Sequence, residues 1–478
     1  MNILLITTDQ HQRTTLGSYG ADICQTPHLD RLANEGTRFT QAYTNTAICT
    51  PARTSMLSGY LPFRHGMLAN FERNVGYPLE IPDGFPLLPH YLPNHRCINE
   101  GKWHIGKERG PDYYNFEGDH FAGWHPPYSH PTYVDYLKEN NLPEFSVRNE
   151  VRGTFQNGKA AITQMGVHDA PDEATFPYFL AEQTIQRLKN AGDKPFVIAT
   201  QFFGPHLPYF IPEKYLTMYD PNLVQAHPSM AETFSGKPAV HKRYSEHWAF
   251  DSYEWETWQK IVAAYWGYVT MIDEQIGRIL NTLDETGLSD NTVVMFTSDH
   301  GGFVGNHRLA DKGPAMYDDI YRIPMIVRSP EQAPAVCDRF VTLMDLMPTI
   351  IELAGETVPD GLDAKSIVSL LNDPEASWDE AVFSEFHGHH FPYPQRMIRT
   401  NTHKLVVNPA DVNELYDLEN DPFELNNVYE HPSYANIKTD LMTCLYNRLV
   451  NIGDNFHHWL PTMFDINAEE KSNQGLVR

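Results

Sequence analysis

The feature that most constrains this chain is a set of short apolar runs lying far apart in sequence, at residues 3–8, 195–200 and 292–297. Each is rich in β-branched residues, two of them with an aromatic, and ends in polar ones, as a buried strand does. Helical patterns lie between them. Residues 28–39 carry Leu29, Leu32 and Ala33 on one face, residues 179–191 carry Ile185 and Leu188, and residues 262–283 carry Met271, Ile272, Ile276, Ile279 and Leu280. Strands that alternate with helices build a largely parallel sheet covered on both faces. The predicted class is therefore α/β, with a large mixed, mostly parallel central sheet flanked by helices. Such sheets bind ligands beyond the carboxyl ends of their strands.

Two stretches break this rhythm. Residues 110–175 and 204–256, rich in Pro, Tyr, His and Gly, read as long loops of the kind that shape binding sites. After about residue 375 the texture changes again. Runs at 381–386, 404–407 and 414–418 predict a small antiparallel sheet, and a helix follows near 434–450. The chain of 478 residues thus divides into a large body, 1–375, and a C-terminal α+β subdomain, 376–478.

Charge and cysteine content exclude several classes. The net charge of −25 leaves no surplus of Lys and Arg to neutralise a nucleic-acid backbone. Five cysteines, Cys24, Cys49, Cys97, Cys337 and Cys444, show neither paired nor CxxC spacing, so no disulfide framework is expected. The opening MNILLITTDQ reads as a strand and lacks the pattern of a secretory leader. No apolar run approaches the ~20 residues of a membrane span. The expectation is a chain without a membrane partner, cytoplasmic as it stands, or periplasmic or secreted if a leader has been removed.

Two predicted strands end in metal-ligand types, Asp9-Gln10 and Asp299-His300, the latter followed by Gly301-Gly302. Two carboxylates, an amide oxygen and an imidazole can hold a divalent cation, although either pair alone also reads as a turn or N-cap acid. A third segment runs from Cys49 through Pro51 and Arg53 to Gly59. It places a cysteine in a polar turn before a helix, either as an activated thiolate or as a small buried residue.

The run Cys49-x-Pro51-x-Arg53, closed by small residues and Gly59, resembles the signature of the type I, formylglycine-dependent sulfatases of the alkaline-phosphatase superfamily. The resemblance extends over nearly the whole chain. Gly101-Lys102-Trp103-His104-Ile105-Gly106 is similar to the family's Lys-x-His segment, Gly204-Pro205-His206-Leu207-Pro208 to its later histidine segment, and Lys312 to its second sulfate-binding lysine. Glu414-Leu415-Tyr416-Asp417-Leu418, followed by Asp421-Pro422, is similar to a segment of its C-terminal subdomain. Gln10 stands where a second Asp is commoner, and His300 where Asn is frequent.

The resemblance implies an alkaline-phosphatase-like fold whose catalytic domain is 1–375. It implies that a formylglycine-generating enzyme, reading Pro51 and Arg53, oxidises Cys49 to formylglycine (3-oxoalanine). Asp9, Gln10, Asp299, His300 and residue 49 would ligate the metal. Ca²⁺ is favoured, with Mn²⁺, Mg²⁺ and Zn²⁺ left open. The hydrated aldehyde would attack sulfur, Lys102 and Lys312 would neutralise the sulfate, and Arg53 would steady the nucleophile. His206 would protonate or hold the leaving oxygen. His104 would then help collapse the sulfated hemiacetal, re-forming the aldehyde.

The substrate pocket is expected to draw on Lys102, His206, Lys312, His125, His389 and Arg396. His11, Arg64, His65, Trp124, His387 and His390 are further candidates near motifs or in the loops. The Tyr, Trp and His content of the loops suits a sugar, so a carbohydrate sulfate ester is favoured over a simple aryl sulfate. Two other readings stand beside this one. A phosphonate or phosphate ester hydrolase on the same fold is disfavoured by the Lys102-x-His104 pair. An unmodified anion-binding homologue without catalysis is the other.

Overall fold

The computed structural model describes residues 1–71, 76–409 and 411–463. Its centre is a seven-stranded sheet in the order Ala335–Thr342, Thr37–Tyr43, Met325–Arg328, Thr292–Ser298, Asn2–Thr8, Phe196–Gln201, Arg96–Gly101. Only Met325–Arg328 runs against the others. The mostly parallel α/β architecture is as expected.

Alternation along each strand divides the core in two. Leu4, Ile6, Ile198, Val294 and Phe296 face the long helix Trp255–Glu285 and its neighbours Phe176–Lys189 and Pro27–Glu35. Ile3, Leu5, Val197, Ala199, Val293 and Met295 face the other layer, which holds the helices Cys49–Ser58 and Leu346–Leu353. Among the described residues no helix is long and apolar enough to cross a membrane.

Two expectations are corrected. The helical pattern read over 28–39 ends at Glu35, and Thr37–Tyr43 is a strand of the central sheet. Gly36 marks the change, since a Cβ there would come within 2.6 Å of the Val327 carbonyl oxygen. The stretch 110–175 is not all loop. It holds the helix Pro131–Glu139 and an antiparallel pair, Val147–Thr154 and Ala160–His168, which continues to Tyr209–Ile211 as a three-stranded sheet. Val147–Thr154 is mostly exposed, so backbone bonds hold it and it carries no apolar pattern to read.

The C-terminal sheet has four antiparallel strands, Val382–Gly388, Pro392–Arg399, His403–Val407 and Glu414–Asp417, packed on the helix Ala435–Ile452. Its first strand braces the segment before Cys49. Glu385 N–H donates to Asn45 O at 2.8 Å, and Ser384 Oγ donates to Thr44 O at 2.9 Å.

Candidate active site

Four neighbouring parallel strands deliver polar side chains at one edge of the sheet. Because Thr8 lies opposite Ser298 in register, Asp9 and Asp299 leave the sheet side by side. Backbone bonds carry this order past the strand ends, with Asp9 N–H on Gly204 O, Asp299 N–H on Thr8 O and Lys102 N–H on Gln201 O. Gln10 and His104 take positive φ, 62° and 49°, sharp turns that a non-glycine residue adopts only under constraint. Gly302 makes room for the first of them, since a Cβ there would meet Gln10 Cγ at 2.6 Å.

Cys49 opens the helix Cys49–Ser58 from the opposite layer and is fully buried. Its sulfur lies 3.2 Å from His300 Nε2 and 3.8 Å from Asp9 Oδ1. Arg53 is one helical turn further on and so points the same way. Its guanidinium spans the site, donating to Asp299 Oδ2 and Asp9 Oδ2 at 2.9 Å each and to Gln201 Oε1 at 2.7 Å. Lys102 Nζ reaches Asp9 Oδ2 at 2.6 Å and the Trp124 carbonyl at 3.1 Å. Lys312 Nζ lies 3.0 Å from Asp311 Oδ1 and 2.9 Å from His206 Nε2.

These charges set one another's protonation. Burial opposes ionisation of Asp9, but Lys102 and Arg53 outweigh it and hold its carboxyl well below the usual range. Asp299 is pushed up by burial and by Asp9. Burial also disfavours a charged His300, yet Asp299 and Cys49 lift it to about 9. Lys312 is held above its ordinary value against burial, chiefly by Asp311. His206 is pushed down to about 3 by burial and then by Lys312. Its Nδ1–H is spent on the Leu207 carbonyl. The neutral ring therefore presents a proton-free Nε2 to the Lys312 ammonium.

The donor set fits a divalent cation. Asp9, Cys49, Asp299 and His300 offer ligand atoms that all lie within 4.8 Å of one another. Gln10 is fully buried beside them, and neither its amide oxygen nor its nitrogen has a hydrogen-bond partner. A buried orphan amide is costly unless something binds it, and a cation at the amide oxygen supplies that partner. His300 Nδ1 is anchored on Gly301 O at 2.7 Å, which leaves Nε2 as the ligand atom.

Beside this centre opens a cavity of about 370 Å³, lined by His104, His206, Lys312, Phe71, Trp124 and Trp248 among others. His104 is neutral, driven down by burial and by Lys102, and its Nδ1 has no partner. His389 and His390 line the same cavity, His389 sharing a 2.6 Å hydrogen bond with Tyr244.

The other expected pocket residues fall elsewhere. Arg396 does not line the cavity; its Nε pairs with Asp454 at 2.6 Å and its guanidinium lies over Phe456. His125 sits outside it, against the Trp124 ring. His11 and His65 are fully buried, bonded to Thr8 and Thr15 and to Ser55 respectively. Arg64 pairs with Asp363, and His387 lies 3.3 Å from Glu385. Sequence reasoning missed Asn70, Gln201 and Asp311. Asn70 Oδ1 accepts the Thr50 N–H at the start of the Cys49 helix.

Comparison with known proteins identifies the family. The sulfatase family model matches residues 1–356, and that for the C-terminal part of N-sulphoglucosamine sulphohydrolase matches 305–451. The chain is 29% identical to an uncharacterized sulfatase of Escherichia coli, over 96% of this chain and 89% of that one. It is 27% identical to an N-acetylglucosamine-6-O-sulfatase of Bacteroides thetaiotaomicron, over 95% and 87%. Its fold is similar to the phosphonate monoester hydrolase of Silicibacter pomeroyi, with a TM-score of 0.78 at 22% identity, covering 95% and 96%.

Proposed function

Since the chain belongs to the sulfatase family and is a sulfuric ester hydrolase, we propose that it cleaves a carbohydrate sulfate monoester with residue 49, as formylglycine, for its nucleophile. The reading rests on one observation. Cys49 stands at the focus of Asp9, Asp299 and His300, and Arg53 and Lys102 close on the same carboxylate. Oxidation of Cys49 and hydration of the aldehyde supply the hydroxyl that attacks sulfur. Asp9, Gln10, Asp299 and His300 would hold Ca²⁺, which the oxygen-rich set suits, and the bound ion supplies charge stabilisation at the sulfate.

The chain's own residues do the rest. Arg53 fixes both carboxylates beneath the nucleophile. Lys102, held on Asp9, and Lys312, held on Asp311, would neutralise the sulfate. One proton is shared between Lys312 and His206 Nε2, with His206 locked by its bond to Leu207, and it is available to the leaving oxygen. The neutral His104, with its unpartnered Nδ1, would take a proton from residue 49 when sulfate departs.

A phosphonate or phosphate ester hydrolase is the second reading, favoured by the shared fold of the Silicibacter enzyme. The test is kcat/KM on an aryl sulfate against the matching aryl phosphonate monoester, after mass spectrometry of the Cys49 peptide. A preference for sulfate of at least about a hundredfold is expected. A preference for phosphonate would leave the fold and donor set standing and change the substrate class.

A further inference from the structure

Three arginines gather around one tyrosine outside the cavity beside residue 49. Arg13 and Arg38 each hold their guanidinium carbon 5.3 Å from the centre of the Tyr19 ring. Arg322 adds a third positive charge that acts on the same phenol. The ring is fixed, because its hydroxyl is held on Met325 O at 2.8 Å and on Met325 N–H at 3.0 Å. None of these side chains lines the cavity of the active site. The strand Thr37–Tyr43 brings Arg38 and Thr40 to one face. Val336, opposite Arg38 in the next strand, is 49% exposed. The polar texture of Thr37–Tyr43 follows from this, since its outer residues are only partly covered. Arg13, Tyr19, Arg38 and Arg322 are all partly exposed, so a solute can reach them.

The charges in this group are unbalanced. Arg322 commits Nε and Nη2 to Thr40 O, at 2.9 and 2.6 Å, and its Nη1 lies 4.0 Å from Asp318 Oδ2. The Asp318 carboxylate is already shared by Lys404 at 2.6 Å, Tyr43 at 3.0 Å and Arg399 at 3.4 Å. Asp338, at the margin, accepts from Thr40 Oγ. Among the described residues no carboxylate lies within ion-pairing distance of Arg13 or Arg38, and neither guanidinium makes a hydrogen bond. A ring face attracts a cation without neutralising it. Arg13 is lowered to about 10 by burial and then by Arg322, as expected where like charges are brought together. Guanidinium forks bind oxyanions through paired charge-assisted hydrogen bonds. In a chain of net charge −25, a local surplus of cations attracts an anion that the rest of the surface repels.

We propose that Arg13, Arg38 and Arg322 form a second oxyanion site, for a sulfate or phosphate group, separate from the site at residue 49. It carries no chemistry of its own. The group is either a free inorganic anion or one sulfate of a longer sulfated chain. The site does not depend on the sulfatase reading.

The test uses the full chain loaded with Ca²⁺ in low-salt buffer. Equilibrium dialysis with radiolabelled inorganic sulfate compares the parent with the double variant Arg13→Gln/Arg38→Gln. Sulfate bound at saturation is expected to fall by one per chain. Arg13→Lys/Arg38→Lys keeps the charges and loses the forks, so it should retain the site with at least about threefold weaker binding. It also carries the comparison if the glutamine variant does not fold. Turnover of 4-nitrophenyl sulfate should stay within about threefold in every variant, because these arginines lie outside the catalytic centre. A second arm measures binding of a heparin tetrasaccharide and of its desulfated form in the Cys49→Ala background, where nothing is turned over. If the ligand is a sulfate on a chain, the glutamine variant weakens the sulfated form at least about tenfold and leaves the desulfated form unchanged. If it is a free anion, only inorganic sulfate responds. Equal binding of both probes by the parent and both variants overturns the proposal. Failure of the parent to cleave any sulfate ester would overturn the sulfatase reading and leave this site standing.

Discussion

Cys49 is the residue on which the chemistry turns. Its side chain is buried among two carboxylates and an imidazole, and no other cysteine has such a setting. Cys24 and Cys97 are buried thiols pushed up by burial, the former above the usual thiol range and the latter to about 12. Cys49→Ala keeps the Cβ and so the helix start, and removes the thiol without which that carbon is not converted to the aldehyde. Turnover of an aryl sulfate is expected to fall at least about 10⁴-fold. Ca²⁺ affinity, measured by calorimetry, should stay within about tenfold because the oxygen ligands and His300 remain. Persistent turnover would place the nucleophile elsewhere. At this scale the sequence was most legible where a chemistry-bearing residue follows an apolar run, as Asp9 and Asp299 do. Gln201 and Asp311 were not legible. Gln201 is the last residue of a buried strand, and only the fold shows its amide oxygen under Arg53. Asp311 acts by pairing with its neighbour Lys312, a contact that sequence adjacency does not establish. Arg396 shows the opposite error. A guanidinium in a His-rich stretch reads as substrate-facing, yet Asp454 and Phe456, nearly sixty residues on, hold it.

At the scale of elements, the Cys49 helix depends on a cap it does not supply itself. Its N-cap position is Ile48, which has no side-chain acceptor, so the orphan N–H groups of the first turn need outside partners. Asn70 provides one, its Oδ1 lying 3.0 Å from Thr50 N, and its side chain also lines the cavity. Asn70→Ala is expected to cost about 1 kcal/mol of stability and to lower kcat about tenfold by loosening the nucleophile's helix. Asn70→Asp keeps the acceptor and adds charge favoured at a helix start, so thermal stability should recover. Its negative charge beside the sulfate should raise KM instead. Equal kinetic damage from both variants would mean that the cap does not position residue 49. The same scale shows why some elements could not be read. Runs 3–8 and 292–297 are wholly buried strands with unbroken apolar texture. Thr37–Tyr43 is half polar, being a strand with only partial cover, and helix periodicity extended over it until Gly36 showed the break.

For the whole molecule, the strand order could not be read from the sequence, because the neighbours Asn2–Thr8, Phe196–Gln201 and Thr292–Ser298 are distant in the chain and the pattern alone does not say which lies beside which. The packed molecule in turn creates a pH dependence that the sequence does not announce. His65 is fully buried against the Cys49 helix. Its Nδ1 accepts the Met67 N–H at 3.1 Å, so the neutral ring donates from Nε2 to Ser55 Oγ, also at 3.1 Å. Burial, and then His387, push it to about 3. Below about pH 6.5 the unfolded chain binds a proton at this position that the folded chain refuses, so the stability tied to His65 is lost as pH falls. The expected slope is about 1.4 kcal/mol per pH unit between pH 6.5 and the folded value. Asp273 and Asp345, raised by burial to about 7 and about 6, act with the opposite sign, so the raw pH profile mixes these terms. A difference isolates the histidine. Gln at position 65 can accept from Met67 and donate to Ser55 without titrating. Urea denaturation of the parent and of His65→Gln in chelator, at pH 7, 6 and 5, should show the parent losing about 2 kcal/mol more than the variant on going from pH 7 to 5. Parallel curves would mean that the ring takes up its proton within the fold, and that the layer carrying residue 49 is open to water.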